Sequence, residues 1–113
     1  MKVSKELLKG TTVILILSLL DEQPMYGYEM IKAIEEKSSD TFSFKEGTLY
    51  PILHSLEADG MVESYWDDST GNRQRKYYRL TPSGLIHAQA KKAEWTAYKK
   101  AVDQVLGEAL LWT

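Results

Sequence analysis

Hydrophobic positions recur at two different spacings along this chain, and the change of spacing divides it into five predicted elements. Three segments before position 60 carry apolar residues three and four positions apart, which is typical of amphipathic helices. β-rich runs on either side of a Ser-Thr-Gly-Asn turn then predict a β-hairpin. A last helical pattern follows the hairpin. This order predicts an α+β protein that is mostly α, with only a small sheet.

The three amino-terminal helices have recognisable starts and stops. Ser4 is predicted to cap a first helix that runs to about Leu20 and is apolar on more than one face. The segment "DEQP" breaks this helix, and the second helix follows it. The third helix is predicted over residues 45–59, because Gly60 stops it. Pro51 is expected in the first turn of this helix, where its missing N–H costs little.

The hairpin and the last helix complete the predicted fold. Alternation puts Tyr78 and Leu80 on the strand face that packs on the helices, so residues 1–80 are predicted to form a winged helix-turn-helix with a two-stranded wing. The last helix is predicted to reach about Trp112, roughly 30 residues or ~45 Å. Residues 81–113 are therefore expected to serve as a dimerisation helix, because an apolar stripe longer than its own domain needs a partner, most economically a second copy. The predicted interface residues are Ala88, Trp95, Tyr98, Val102, Val105, Leu106 and Leu110.

The composition and the motifs argue against several functional classes. The chain contains no cysteine, which excludes disulfides, thiol catalysis and cysteine-rich metal sites. Its most apolar run, residues 13–20, is far shorter than the ~20 residues that span a bilayer, so a cytoplasmic protein is expected. His54 and His87 lie on different predicted helices, and no nucleophile elbow, phosphate-binding glycine loop or zinc-protease motif is present. We therefore expect neither an enzyme nor a cofactor or metal site.

The net charge is only −2, but the charged residues are distributed unevenly along the chain. Residues 21–60 hold nine acidic residues against three lysines, whereas residues 73–79 hold four basic residues and no acidic one. A charged strand edge is in itself ordinary protection against aggregation. This one follows a three-helix unit, and in helix-turn-helix proteins the amino-terminal end of such a third helix meets base edges in the major groove. A basic wing beside that helix is then positioned to contact phosphates or a minor groove.

A family resemblance is carried by three segments in the expected order, "MYGYEMIKAI", "GTLYPILHSLEADGMVES" and "RKYYRLTPSG". Over residues 5–110 the chain resembles the PadR family of bacterial transcriptional regulators, and its short carboxy-terminal part resembles the compact subgroup of that family. The resemblance implies a homodimer that binds double-stranded DNA at a palindromic operator. It also implies a repressor, which in this family often releases DNA when a small molecule binds.

The resemblance further implies which residues contact DNA. Residues 45–59 correspond to the recognition helix, and the basic tip of the wing lies beside it. Tyr50 keeps a second interpretation, because aromatic residues in helices often fill the core. Arg79 is expected to brace the sheet near the base of the wing. The implied DNA-binding residues are Tyr26, Lys45, Thr48, Tyr50, His54, Arg73, Arg75 and Lys76.

Trp95 stands near the middle of the last helix and leaves two interpretations open. Tryptophan is enriched at interface cores, so it fits a dimer anchor. The chain is also similar to a multidrug-sensing subgroup of PadR-like regulators, in which a tryptophan at this point lines a hydrophobic pore between subunits. That similarity implies a planar hydrophobic effector held by Trp95, Leu7, Ile14 and Leu17. Lys99 replaces an acidic residue of the subgroup, which favours neutral or anionic ligands over cationic ones.

A different class of function fits the same elements. A winged helix can also serve as a protein-interaction module that never binds DNA, and salt-sensitive binding to random duplex DNA would separate the two functions. Trp66, on the first strand of the hairpin, is expected to be a packing residue.

Overall fold

Five helices and a three-stranded antiparallel sheet form the described part of the chain, residues 3–68, 71 and 74–108 of the computed structural model. The predicted class, a mostly helical winged helix-turn-helix with a long carboxy-terminal helix, is confirmed. The elements in chain order are α1 (Lys5–Leu8), α2 (Thr11–Glu22), β1 (Met25–Tyr26), α3 (Gly27–Lys37), α4 (Glu46–Ala58), β2 (Val62–Asp67), β3 (Arg75–Leu80) and α5 (Pro82–Leu106).

The segment predicted as one amino-terminal helix forms two helices, which are separated by a turn at Gly10. Ser4 caps α1 as predicted, and its hydroxyl accepts a hydrogen bond from the Leu7 N–H at 3.3 Å. Gly10 adopts φ +85°, a left-handed conformation that glycine takes without steric cost. The prediction of one continuous helix to Leu20 is wrong, because the chain turns at Gly10 before α2 begins, and α2 then continues to Glu22.

The helix-turn-helix consists of α3, α4 and the connection between them. The backbone N–H of Tyr26 donates to the Glu29 carboxylate at 3.1 Å, which satisfies one of the free donors at the start of α3. In the connection, the Ser38 hydroxyl accepts a hydrogen bond from the Phe42 N–H at 3.0 Å. These bonds hold a tight turn after which Phe44 enters the core.

Pro51 lies inside α4 rather than in its first turn. The helix starts at Glu46, which makes Pro51 its sixth residue. Proline cannot donate to the carbonyl four residues earlier, here that of Gly47, so α4 lacks one of its internal bonds. Leu49 and Leu53 on either side of it are completely buried, and their packing holds the helix together across the missing bond.

A short strand directly before α3 adds a third strand to the sheet, beside the two strands of the predicted hairpin. The strand order is β1-β3-β2, with Met25 opposite Tyr78 and Tyr26 opposite Tyr77. The predicted two-stranded hairpin is present as β2 and β3. The sequence did not reveal the third strand, because a two-residue strand is too short to display alternation. Tyr78 is buried as predicted, and the central strand of the wing is hydrogen-bonded to the start of the helix-turn-helix.

The core lies between α2, α3, α4, the sheet and the first turns of α5. Ile16, Leu17, Met30 and Leu53 are almost completely buried at its centre. Ala88, on α5, belongs to the same buried cluster and is 7% exposed. Only the beginning of α5 therefore takes part in the core.

The second half of α5 extends away from the core and gives the fold its elongated dimensions of 53 × 31 × 24 Å. The helix ends at Leu106, because Gly107 adopts φ +81° and the Glu108 N–H donates to the Asp103 carbonyl at 2.8 Å. The predicted end near Trp112 is therefore wrong for the helix. Residues 109–113 lie outside the described part of the chain.

Helix α5 begins so close to the loop after α4 that Gly84, the third residue of α5, has no room for a side chain. The Thr81 hydroxyl accepts a hydrogen bond from the Gly84 N–H at 3.0 Å and donates one to the Gly60 carbonyl at 2.6 Å. A Cβ added to Gly84 would overlap with the backbone carbonyl of Met61. This contact fixes the angle at which α5 leaves the winged helix.

Gly84→Ala is expected to lower the free energy of unfolding by about 1–3 kcal/mol, because a backbone carbonyl cannot rotate away as a side chain can. Gly47→Ala is the matched control, since nothing lies within 4 Å of a Cβ at that helical position. Alanine there is expected to stabilise the protein by about 0.5–1 kcal/mol. Urea denaturation of both variants measures the difference, and equal changes of the same sign would contradict the close approach.

Candidate nucleic-acid interface

A cleft of about 430 Å³ opens where α3, α4 and β3 begin. Three elements that are far apart in sequence meet here because β1 pairs with β3 directly before α3 starts. Three tyrosines, two basic side chains and one carboxylate line it. The lining residues are Tyr26, Tyr28, Glu46, Tyr50, Arg75 and Lys76.

Tyr26 and Arg75 form the fixed part of this cleft. The Arg75 guanidinium carbon lies 4.5 Å from the centroid of the Tyr26 ring, which is a cation–π contact. The Tyr26 ring in turn meets the Tyr77 ring edge to face at 5.4 Å. A cation from the wing and a hydroxyl from the helix-turn-helix are therefore held side by side.

A row of tyrosines continues from Tyr26 across the sheet. The Tyr77 ring stacks on that of Tyr65 at 5.7 Å, and the Arg79 guanidinium lies 4.8 Å from the Tyr65 centroid. Arg79 also donates from Nε to the Glu63 carboxylate at 2.8 Å, across the β2–β3 pair. Arg79 thus braces the sheet, in the position that the sequence predicted for it.

Burial and neighbouring carboxylates raise the pKa of two tyrosines in the wing. Burial raises the pKa of Tyr77, and Glu29 and Asp67 raise it further. Burial is also the main cause of the raised pKa of Tyr78, with a smaller contribution from Glu57. The surroundings of both side chains therefore disfavour the tyrosinate form more than water does.

Tyr50 was interpreted either as a core residue or as a DNA contact. The side chain is half-buried, so it is compatible in part with each interpretation. Its hydroxyl packs against Gly27, where an added Cβ would overlap with it. Its ring lies 6.3 Å from the His54 ring on the same helix. The remaining exposed part of Tyr50 faces the cleft beside Arg75 and Lys76.

The predicted DNA-binding residues fall into three groups. The cleft brings together Tyr26, Tyr50, Arg75 and Lys76. Lys45 caps α4, Thr48 lies in its first turn and His54 lies further along the helix; these three residues are exposed and do not line the cleft. Arg73 lies outside the described residues.

Sequence reasoning missed Tyr28 and Glu46 in the cleft. Tyr28 is 54% exposed, with the Lys32 ammonium 5.5 Å from its ring centroid. Tyr28 is also the main cause of the raised pKa of Lys32. Their positions in the sequence could have indicated this exposure, because Tyr28 and Glu46 both lie in the first turn of a helix, where the chain still faces solvent.

A second concave surface, of about 460 Å³, lies between α1, the start of α2 and α5. It brings together Leu7, Ile14 and Trp95, three of the four predicted effector-binding residues. Leu17 does not line this groove: it is 1% exposed, because α5 and the sheet enclose that turn of α2 in the core. The other lining residues are Glu6, Lys9, Gly10, Thr11, Glu94 and Tyr98.

The outer half of α5 carries a continuous exposed apolar face. Trp95 and Tyr98 lie with their rings 5.9 Å apart, and Val105 is 88% exposed. Ala88 is not part of this face, because it is buried against α2 within its own chain, and Leu110 lies outside the described residues. The predicted interface residues that remain on the exposed face are Trp95, Tyr98, Val102, Val105 and Leu106.

Trp66 is not the packing residue that the sequence suggested. Its side chain is 64% exposed on β2.

Two kinds of feature are absent from the described residues. No group of three histidine, cysteine or acidic side chains is placed to hold a metal ion there. No helix in the same residues has the length and apolarity needed to cross a membrane.

Comparison with known proteins relates this chain to regulators of transcription. Residues 16–90 match the family model described as "Transcriptional regulator PadR-like family". The fold is similar to a transcriptional regulator from Clostridium thermocellum, with a TM-score of 0.80 and 37% identity over 90% of this chain and 96% of that one. A PadR family transcriptional regulator from Eggerthella lenta is similar with a TM-score of 0.76 and 38% identity, over 89% and 86% of the two chains.

A curated relative agrees with these structures. The transcriptional regulator Rv3488 from Mycobacterium tuberculosis is 37% identical over 76 residues, which are 67% of this chain and 64% of the relative. These matched proteins are regulators of transcription rather than enzymes.

Proposed function

Because the chain belongs to the PadR-like family of transcriptional regulators, we propose that it binds a palindromic DNA operator as a homodimer and represses transcription from it. The observation that carries this proposal is the convergence of Tyr26, Arg75 and Lys76 in the cleft beside the start of α4. Hydroxyls and cations position a protein on the phosphates, while the recognition helix contacts base edges. Such a regulator acts in the cytoplasm.

In this proposal the exposed start of α4 enters the major groove. Thr48, in the first turn, contacts base edges, and Lys45 and His54 contact the flanking backbone. Two-fold symmetry would place two such helices in successive major grooves, ~34–36 Å apart. Because the same two-fold axis would relate the two half-sites, a palindromic operator is expected.

The cleft then receives the phosphate backbone next to that groove. Arg75 and Lys76 outnumber the single carboxylate of Glu46, so the cleft favours an anion. Arginine suits this contact because its planar fork can bind a phosphate through two hydrogen bonds. Arg73, which lies outside the described residues, is proposed to extend the same contact.

The exposed apolar face of α5 supports dimerisation. Val105 and Leu106 are 88% and 67% exposed, which is costly for side chains of this size in a lone helix. A second copy of α5, packed through this face, would cover both. We therefore propose residues 1–80 as the DNA-binding unit and residues 81–113, which contain α5, as the dimerisation unit.

The groove between α1 and α5 supports regulation by a small molecule. Trp95 and Tyr98 offer flat ring surfaces, and Leu7 and Ile14 complete an apolar wall. We propose that a planar hydrophobic effector binds here at the dimer interface and releases the operator. A ligand that binds the DNA-free state better than the DNA-bound state would do so by mass action.

Replacing Arg73, Arg75 and Lys76 with alanine is expected to weaken DNA binding and to flatten its salt dependence. The slope of log affinity against log salt should become shallower by about 0.9 for each phosphate that the variant no longer binds. Arg79→Ala is the matched control, because that arginine is held by Glu63 and Tyr65. Gel-shift titrations at several salt concentrations measure both effects.

An unchanged slope in the triple variant would overturn the assignment of the wing to DNA. A wild-type protein that binds no duplex even at low salt would instead favour the protein-interaction function.

Val102→Asp combined with Val105→Asp is expected to raise the dimer dissociation constant on the order of a hundredfold, because it would bury unpaired carboxylates in an apolar interface. Size-exclusion chromatography with light scattering measures the change, and circular dichroism checks that the helices persist. Gln104→Asp, on the opposite side of α5, is the control and should remain dimeric. A double variant with the mass of a dimer would contradict the proposed interface.

Trp95→Ala is expected to abolish the binding of planar aromatic compounds while the protein stays folded, since it removes the largest ring of the groove. Quenching of tryptophan fluorescence by a panel of neutral and anionic planar dyes measures binding, and Trp66→Phe should retain it. An absence of quenching in the wild type across the panel would rule out the effector site.

A further inference from the structure

An exposed tryptophan on the wing has no role in the function proposed so far. Trp66 is 64% exposed, although tryptophan is among the residues that gain most from burial. Among the described residues, no aromatic ring or cation stacks on its indole, in contrast to the tyrosines of the same sheet. A large apolar ring held on an ordered strand in water is typical of a binding surface.

The register of β2 determines which way Trp66 faces. Side chains alternate along a strand, so Trp66 shares a face with Val62, which is buried, and with Ser64. The Ser64 hydroxyl donates to the Glu57 carboxylate on α4 at 2.6 Å, so this is the face that looks toward the recognition helix. Trp66 lies two residues, ~7 Å, further along that face, beyond the point where the helices cover it.

Trp66 also lies beside the basic part of the cleft. Its cross-strand partner is Lys76, so the two Cα atoms are ~5 Å apart. Lys76 lines the cleft together with Tyr50 of the recognition helix. The indole is therefore adjacent to the cation that would hold a phosphate, on the side from which DNA would approach α4.

We propose that Trp66 packs its indole against the sugars of the operator backbone, next to the phosphate held by Lys76. This inference rests on the DNA-binding function proposed above and adds an apolar contact to it. Duplex DNA is the occupant that fits, because the flanking charge on the neighbouring strand is positive and because Trp66 faces the recognition helix. A contact made by a neutral ring displaces no counterions, so it strengthens binding without adding to the salt dependence.

The test compares Trp66→Ala with Lys76→Ala on one random-sequence duplex across a range of salt concentrations. Trp66→Ala is expected to weaken binding about tenfold, toward the lower end of the range for an aromatic ring that stacks on a single-stranded base, with a salt slope parallel to the wild type. Lys76→Ala is expected to make the slope shallower by about 0.9 for each phosphate that it no longer binds. Trp66→Phe should restore most of the affinity.

Two results would overturn the inference. Binding by Trp66→Ala within twofold of the wild type would mean that the ring makes no contact. A slope that flattens as it does in Lys76→Ala would mean that Trp66 only positions the cation. Failure of the wild type to bind any duplex would overturn the proposed function together with this contact, whereas normal wild-type binding with an unaffected Trp66→Ala would overturn this contact alone.

A second measurement leaves the chain unmutated and so does not depend on the folding of a variant. The wild-type protein labelled with 5-fluorotryptophan has three fluorine signals, one for each tryptophan, and the signal missing from Trp66→Phe belongs to Trp66. Adding the duplex is expected to shift that signal and to remove its sensitivity to D2O exchange. A Trp66 signal that is unchanged by saturating duplex, or already shielded from D2O without it, would contradict the contact.

Discussion

The wing and the recognition helix are held in one geometry by the pairing of β1 with β3. Met25 and Tyr26, directly before α3, bond to Tyr78 and Tyr77 on the central strand of the wing. A strand register can change only by whole residues, and a slip of one residue would turn Tyr78 out of the core. The Tyr26 ring and the Arg75 guanidinium above it are therefore held as one rigid unit.

Local pairing of charges lets a chain of net charge −2 present a basic surface. Several acidic residues are neutralised by neighbours, as Glu22 is by Lys37 and Glu63 by Arg79. Those pairs are exposed and contribute little to stability. The cleft itself holds Arg75 and Lys76 against the single carboxylate of Glu46, so its local charge is positive although the total charge of the chain is negative.

Helix α2 lies between the two concave surfaces of the chain. Its first turn lines the α1–α5 groove through Thr11 and Ile14, and it ends directly before β1, which carries Tyr26. The turn at Gly10 makes this possible, because it separates α1 from α2 and lets α1 face α5. The sequence did not reveal that turn, since the hydrophobic pattern runs through it and a single glycine inside a helical pattern is often tolerated.

Residue type and local spacing were enough to establish the order of the main elements, the cap at Ser4, the buried face of the wing and the basic segment beside a recognition helix. These features can be predicted without knowledge of the fold, because each depends on residues that are close together along the chain. Three others required the packed structure: the two residues before α3 form a strand, Leu17 and Ala88 belong to the core, and Trp66 is exposed. Each of these depends on what other parts of the chain cover, and periodicity reports which residues share a face but not where the covering element ends.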